Sequence, residues 1–144
     1  GMKRGVTVGA SDEFGFHGLK EERAGGDDAV RPEFGAPPLQ ADEAGAQMFA
    51  LYQYLIGLRR RHPWLHTART RALRLDNRHY LYETRHGDDA LLVALNLTDA
   101  PVPVPLRDVE RDRARVLAGT AAPPDEVVTD AVVAPHGWLI LQPA

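Results

Sequence analysis

One stretch of the chain, residues 42–61, carries apolar residues at helical spacing. The apolar positions lie three or four residues apart, or next to such positions, and form one stripe: Met48, Leu51, Tyr52, Leu55 and Leu58. Asp42 is a good amino-terminal cap, because its carboxylate can accept a hydrogen bond from a backbone N–H group of the first turn. Three arginines at 59–61 complement the negative end of the helix dipole, and Pro63 disfavours helical geometry at His62. We therefore predict one amphipathic α-helix over 42–61.

From residue 67 onward the pattern changes to short β-like runs that are separated by turn residues. These runs predict strands at 68–75, 79–85, 90–97, 102–106, 114–117 and 138–142, with weaker candidates at 126–128 and 131–133. The sequence His-Gly-Asp-Asp at 86–89 indicates a hairpin connection between two of the strands. Short strands at near-regular spacing are typical of an antiparallel sandwich.

Two of these runs have a predicted place in the sheet. Residues 91–95, Leu-Leu-Val-Ala-Leu, are apolar throughout and suit a central strand that is covered on both faces. Residues 101–106 alternate proline with valine or leucine. Because proline cannot donate a ladder hydrogen bond, this run is predicted to be an edge strand.

The first 41 residues have a different character. They are rich in glycine, proline and acidic residues, with one short β-like run at 6–10 and no apolar periodicity. We therefore predict a mainly β fold in three parts. A loop-rich arm over 1–41 and a helical segment over 42–66 precede an antiparallel β-sandwich over 67–144.

The composition narrows the possible partners and sites. The chain has 144 residues, is 44% hydrophobic and carries a net charge of −3, so nothing in its charge favours nucleic acid or an anionic membrane. It has no cysteine, which excludes disulfides and thiolate metal sites. No apolar run approaches the length of a membrane span or of a signal-peptide core, so we expect a cytoplasmic protein.

Four segments in order along the chain resemble the α-amylase superfamily, glycoside hydrolase family 13. Residues 54–63, Tyr-Leu-Ile-Gly-Leu-Arg-Arg-Arg-His-Pro, resemble the end of the last barrel helix of these enzymes, which often reads LIALRRRHP. Residues 91–97 resemble a central strand of their carboxyl-terminal β-domain. Residues 5–13 are similar to the G-I-P-x-V-Y-x-G-D-E that follows the eighth barrel strand, although Thr7 and Ser11 depart from it. Residues 28–32 resemble the D-A-R-R-P of the next loop.

The resemblance implies a carboxyl-terminal portion of such an enzyme, consisting of the end of the barrel and the β-domain. The family's catalytic carboxylates lie on or after barrel strands that would precede residue 1, so we assign no catalytic residue and expect no glycosidase activity from the chain alone. Asp27, Asp28 and Arg31 match a loop that lies near the mouth of the active site in the family. The resemblance therefore makes them candidate sugar-binding residues, although without a barrel behind it this loop has no cleft and a solvated charge cluster is the alternative.

The chemistry of the remaining residues offers little for catalysis. Asp12 and Glu13 are adjacent, so their side chains would point to opposite faces of a strand. Retaining hydrolysis of a glycoside needs two carboxyl groups about 5 Å apart across one bond, so we interpret this pair as structural. His62 and His66 have metal-like spacing, but Pro63 lies between them and no acidic or cysteine ligand accompanies them. We predict no metal site and no cofactor.

The two tryptophans, Trp64 and Trp138, have two interpretations. Exposed, they could stack on sugar rings; buried, they would pack between helix and sandwich, and the large apolar area of an indole favours the core. Trp64 is kept as a candidate sugar contact.

Three functions remain from the sequence. The first is a non-catalytic, structural or interaction part of an α-amylase-like glycoside hydrolase. Separated from a barrel it would expose the stripe of the helix, which predicts a homodimer or an exchange of arms. The alternative is a stand-alone module that binds α-glucan oligosaccharides. An independent small enzyme has no support in the spacing of the carboxylates, histidines or serines.

Overall fold

The protein is described by a computed structural model that covers residues 22–24, 43–109, 111–120 and 123–144. The chain divides into two compact units, Gly1–His62 and Pro63–Ala144. The candidate residues Asp27, Asp28 and Arg31 lie outside the described residues, as do Asp12, Glu13 and the predicted cap Asp42.

In the first unit, helix α1 spans Glu43–Arg61 and confirms the predicted helix. Its carboxyl end is closed by His62, whose backbone N–H donates to the carbonyl oxygen of Arg59 at 3.2 Å and whose Nδ1 donates to that of Leu58 at 2.8 Å. These bonds occupy two of the carbonyl groups that every helix end leaves without an intrahelical partner. Along the predicted stripe Leu58 is buried, whereas Met48 and Tyr52 at the other end are exposed.

The second unit begins with a 3₁₀ helix at Pro63–His66, and its described residues form eight strands. The strands are β1 (Arg69–Leu75), β2 (His79–His86), β3 (Asp89–Asn96), β4 (Val102–Val104), β5 (Ala114–Gly119), β6 (Val127–Val128), β7 (Ala131–Val133) and β8 (Trp138–Pro143). Six of them form an antiparallel sheet in the order β1-β2-β3-β8-β5-β6, and β4 pairs with β7 in a second, two-stranded sheet. The mainly β, sandwich-like fold predicted from the sequence is confirmed.

Local turn chemistry explains the hairpins. Gly87 and Asp88 form the two-residue turn between β2 and β3, and Gly87 has a φ of +59°. Glycine at the first central position is what such a hairpin turn requires. Between β1 and β2, the carboxylate of Asp76 accepts hydrogen bonds of 2.8 Å from the backbone N–H groups of both Arg78 and His79. These bonds hold the pKa of Asp76 well below its usual range.

The predicted positions of the central and edge strands are also found. Strand β3 lies between β2 and β8, with Leu91 and Leu92 buried on its two faces, but Leu95 is 38% exposed, so the predicted cover of both faces is incomplete. Among the described strands, β4 pairs with β7 alone, and it ends at Val104 rather than at residue 106. Pro105 cannot donate a further ladder bond, and Leu106 instead begins a second 3₁₀ helix, Leu106–Val109, with its side chain buried.

The hydrophobic core lies between the two sheets. Its buried members come from both sheets and from the second 3₁₀ helix: Leu81, Leu92, Ala94, Val104, Leu106, Ala114, Val116, Ala131, Val133, Leu139 and Leu141. Leu92 and Leu141, which face each other in the register of β3 and β8, are the largest apolar side chains that are fully buried. Among the described residues, two polar side chains are also buried, those of Glu83 and Asn96.

Candidate functional site

The candidate sugar contact Trp64 lies in the first 3₁₀ helix and is half-buried. Its carbonyl oxygen accepts hydrogen bonds from the backbone N–H (3.1 Å) and the hydroxyl (3.3 Å) of Thr67. The same hydroxyl lies 3.2 Å from Nδ1 of His86, so the helix is joined to the end of β2. Nothing in this geometry tests a sugar contact of Trp64, which stays a prediction.

Trp138 lies outside the core between the two sheets, and its packing against the helix stays a prediction. Side chains alternate between the two faces along a strand, and in β8 the core takes Leu139 and Leu141. Trp138 and Ile140 therefore lie on the opposite face of the six-stranded sheet, where both are half-buried.

That opposite face carries two cross-strand rows of apolar side chains. One row runs Tyr80–Leu95–Trp138 and the next runs Tyr82–Val93–Ile140, each across β2, β3 and β8. We call these six residues the aromatic face. None of them is fully buried, and Leu95 is 38% exposed. Adjacent strands lie about 4.8 Å apart, so the six side chains form one continuous apolar surface.

The two tyrosines of the aromatic face are in contact. The ring centroids of Tyr80 and Tyr82 are 4.9 Å apart and the rings are tilted by 38°. Partial burial, together with the neighbouring Tyr80, raises the pKa of the Tyr82 hydroxyl. The face therefore combines apolar area with hydroxyl groups.

A cleft opens at the β1–β2 turn, on the side of the six-stranded sheet that faces β4. Its cavity volume is about 20 Å³. Pro103 of β4 and Pro105 after it line the cleft together with Leu81 and Ala94, which face the core. The remaining lining residues are Arg74, His79, Tyr80, Leu95, Val102, Val104 and Val133.

Two polar groups converge on this largely apolar cleft. Nδ1 of His79 lies 3.1 Å from both carboxylate oxygens of Asp76, and Nε of Arg74 donates to Asp76 at 3.3 Å. Asp76 thereby holds both side chains at the rim. A cavity of about 20 Å³ has room for about one water molecule, so these groups line a small hydrated recess rather than a sugar site.

The buried carboxylate of Glu83 lies on the core-facing side of the sheet. Each of its two oxygens accepts one hydrogen bond from an arginine. Oε1 accepts from Nη2 of Arg85 at 2.7 Å, and Oε2 accepts from Nε of Arg71 at 3.0 Å. The hydrogen bond from Arg85, followed by that from Arg71, lowers the pKa of Glu83 in spite of its burial. An ionised carboxylate held between two guanidinium groups is a poor proton donor, so this site does not suit a general acid.

Sequence reasoning missed both the aromatic face and the pairing of Glu83. The signal was present in β2, where Tyr80 and Tyr82 alternate with Leu81 and Glu83. Which of the two sets faces the core depends on the strands that pack against β2, and this information is not local.

Within the described parts of the chain, no group of three or more histidine or acidic residues is arranged to hold a metal ion. Over the same residues, no helix is both long and apolar enough to cross a membrane.

Comparison with known proteins gives relatives by structure alone. No protein-family model and no curated protein matches the chain. A structure of AmyP in complex with maltotriose superposes with a TM-score of 0.64 at 18% identity, over 81% of this chain and 25% of that one. Isomaltulose synthase from Klebsiella sp. LX3 gives 0.54 at 22% identity, over 78% and 22%. The trehalulose synthase MutB from Pseudomonas mesoacidophila gives 0.52 at 16% identity, over 85% and 24%.

These solved structures are enzymes of glycoside hydrolase family 13. The resemblance read from the four sequence segments is thereby confirmed at the level of the fold. The chain spans only about a quarter of the length of the solved chains it matches.

Proposed function

We propose that the chain is the carboxyl-terminal, non-catalytic part of an α-amylase-like glycoside hydrolase, with a structural role. The observation that carries the proposal is the size of the structural match, which takes in most of this chain but about a quarter of each family 13 enzyme. The four motif-like segments support it, because they occur in the order in which the end of a barrel and the β-domain follow each other. A cytoplasmic location stays a prediction.

The aromatic face supports a structural role. A sheet whose second face is polar can stand in water, whereas this second face carries three aromatic and three aliphatic side chains in two complete rows. Contiguous apolar surface of this kind marks an interaction site. We propose that the aromatic face packs against the remainder of the parent enzyme and that its tyrosine hydroxyls lie at the rim of that interface.

The placement of the acidic groups supports the absence of a catalytic role. Glycoside hydrolysis needs two carboxyl groups that face each other, one of them protonated. Among the described side chains, Glu83 is the buried carboxylate, and its two arginine partners keep it ionised. Other described carboxylates, such as Asp76 and Asp99, are exposed.

An activity assay tests this proposal directly. The purified chain is incubated with maltooligosaccharides and with sucrose, and the release of reducing sugar is followed. We expect no release above that of a heat-denatured sample. Turnover that disappears on Glu83→Gln or Asp12→Asn, in a protein that still gives the native circular dichroism spectrum, would overturn the proposal.

We also propose that the isolated chain associates with itself, as a homodimer or by exchange of arms. The large apolar side chains exposed on α1 support this: Met48, Phe49, Tyr52, Tyr54 and Ile56. Light scattering at micromolar concentration measures the molar mass. We expect a dimer that Ile56→Lys weakens and that Gln53→Lys, an exposed polar position on the same helix, leaves intact; a monomeric wild-type protein contradicts the idea.

The second candidate function is a module that binds α-glucan oligosaccharides, and the aromatic face favours it. The rings of Tyr80, Tyr82 and Trp138 offer half-buried aromatic surface on which sugar rings could lie, and the two tyrosine hydroxyls offer hydrogen bonds to sugar hydroxyl groups. The loop residues Asp27, Asp28 and Arg31, together with Trp64, are the further predicted contacts of such a ligand.

Titration with maltotriose, followed by tryptophan fluorescence, distinguishes the two functions. A binding module gives a saturable change that Tyr80→Ala weakens by at least about tenfold, corresponding to about 1.4 kcal/mol. Tyr54→Ala, which removes an exposed tyrosine of the helix, is the control. Trp64→Phe and Trp138→Phe assign the emission. The absence of any saturable change would eliminate the binding module and leave the structural role.

A further inference from the structure

Three arginines and one glutamate form a compact cluster on the core-facing side of β1 and β2. In the register of the two strands, Arg69 lies opposite Arg85 and Arg71 lies opposite Glu83. Residues two apart on a strand share a face, so all four side chains emerge on the same side of the sheet. We call Arg69, Arg71, Glu83 and Arg85 the arginine cluster.

Glu83 orients two of the three guanidinium groups. It is 2% exposed and binds Nε of Arg71 and Nη2 of Arg85, whose side chains are 66% and 36% exposed. Among the described residues, no acceptor binds the two terminal nitrogens of Arg71. The bond to the buried carboxylate therefore orients the guanidinium group of Arg71, while its terminal N–H donors remain accessible to solvent.

Among the described residues, the ion pairs of the arginine cluster involve one carboxylate, that of Glu83. Within this part of the chain, three guanidinium groups and one carboxylate leave two positive charges. Arg69 has no ion pair with any described carboxylate, and its cross-strand partner is another arginine. Like charges directly opposite each other destabilise an antiparallel pair, so the cluster gains stability when an anion lies between them.

The number and type of these donors indicate the anion. Guanidinium groups bind phosphate and carboxylate through paired, charge-assisted hydrogen bonds. A phosphate monoester carries a charge of about −1.5 to −2 at neutral pH, which matches the two unbalanced positive charges, whereas a single carboxylate supplies half of that. We propose that the arginine cluster is a binding site for a phosphate group, either free or carried on a sugar. The site lies on the face of the sheet opposite the aromatic face and is independent of the proposed structural role.

The alternative explanation for these arginines is protection of a sheet edge. Among the described strands, β1 pairs only with β2 and is therefore an edge strand of the large sheet. Charged side chains on an edge strand oppose pairing with another chain. That role requires charge along β1 but no particular arrangement around Glu83, and it predicts no preference for phosphate over other anions.

The test uses the full chain and measures its thermal unfolding and ligand binding. Inorganic phosphate and glucose 6-phosphate are each compared with sodium chloride at equal ionic strength. We expect phosphate to raise the melting temperature in a saturable way, because a ligand that binds only the folded state stabilises it. Stronger binding of glucose 6-phosphate would indicate a sugar phosphate as the ligand, and equal binding would indicate the phosphate group alone.

Variants then assign the site. Arg69→Gln and Arg71→Gln should each weaken phosphate binding by at least about tenfold in calorimetric titration. Arg115→Gln, an exposed arginine on β5, should not. Without phosphate, Arg69→Gln should be at least as stable as the wild type, because it removes the repulsion with Arg85. The proposal would be overturned if the wild type did not bind phosphate, or if all three variants bound it as tightly as the wild type. Edge protection would then remain as the role of these arginines.

Discussion

The side-chain amide of Asn96 donates a hydrogen bond of 3.0 Å to the carbonyl oxygen of Ala134 and so ties β3 of the large sheet to the end of β7 in the small one. The same amide nitrogen lies 2.8 Å from the carbonyl oxygen of Ala100 and 3.3 Å from that of Val133. The amide oxygen of Asn96 accepts from the backbone N–H and the hydroxyl of Thr98. The fully buried side chain of Asn96 thus makes hydrogen bonds to the backbone at Thr98, at Ala100 and at the end of β7.

Replacement of Asn96 by alanine should therefore destabilise the fold strongly. The change removes the partner of the part-buried backbone N–H of Thr98 and of the carbonyl groups of Val133 and Ala134, at a cost of about 3 kcal/mol in the free energy of unfolding. Urea denaturation measures it. The control is Asn77→Ala in the exposed β1–β2 turn, which should change stability by less than about 0.5 kcal/mol. Equal losses in the two variants would show that the bonds of Asn96 do not hold the two sheets together.

The two arginines that bind Glu83 should contribute unequally. Arg85 makes the shorter bond and is the less exposed partner, so Arg85→Met leaves a buried carboxylate oxygen without its donor and should cost about 2 kcal/mol. Arg71→Met should cost less than about 1 kcal/mol, since its side chain is 66% exposed and well screened by solvent. A double-mutant cycle with Glu83→Gln measures the coupling, and equal coupling energies for the two arginines would contradict this ranking.

The same carboxylate should make stability depend on pH in the acid range. The pKa of Glu83 is lower in the folded protein than its ordinary value of 4.5, so the unfolded chain binds more protons in acid. This stabilisation is fully present above pH 4.5 and is lost as the pH falls through the lowered pKa of the folded state. The difference in unfolding free energy between wild type and Glu83→Gln should shrink accordingly as the pH falls below 4.5.

Asp76 provides a control for that measurement. Its pKa is also lowered, by hydrogen bonds from the backbone N–H of Arg78 and from the side chain of His79, so it contributes in the same direction. Glu83→Gln should therefore keep part of the acid sensitivity, and Asp76→Asn should remove a different part. A Glu83→Gln variant whose stability runs parallel to the wild type over this range would show that Glu83 has the same pKa in both states.

Much of the architecture could be predicted because its signals are local. The helix follows from apolar spacing and Pro63, the turn at Gly87 from its residue type, and the edge position of β4 from its prolines. The sheet order β3-β8-β5 could not be predicted, since it pairs strands that lie far apart in the sequence and pairing of that kind leaves no local pattern. For the same reason the partners of Asn96 became visible only in the fold.

The candidate site shows the limit of local reasoning more sharply. In β2, tyrosines at 80 and 82 alternate with leucine and glutamate at 81 and 83, so hydrophobicity alone would turn the tyrosines towards the core. The structure does the opposite, because two arginines neutralise Glu83 on the core side. The buried charge is tolerated because Arg85 of the same strand and Arg71 of β1 both bind it, and the contact with Arg71 depends on the register of the two strands.

Two glycines should respond in opposite ways to alanine. At Gly137 a Cβ atom would lie 2.9 Å from the carbonyl oxygen of Ala134, and the backbone there is held by hydrogen bonds from Gly137 N–H to Ala134 and from Asn96 N–H to the Gly137 carbonyl. The turn cannot yield without weakening those bonds, so Gly137→Ala should cost about 1–3 kcal/mol.

At Gly57, inside α1, the nearest atom to a new Cβ is the flexible end of Arg61 at 3.2 Å, and alanine is the better helix former. Gly57→Ala should therefore stabilise the helix by about 0.5–1 kcal/mol. Thermal unfolding followed by circular dichroism at 222 nm, a wavelength dominated by helix, should show a gain for Gly57→Ala, and urea denaturation should show the loss for Gly137→Ala. If Gly137→Ala were as stable as the wild type, the β7–β8 turn would have to adjust to the new methyl group without cost. The hydrogen bonds from Asn96 would then not hold the backbone of that turn in place.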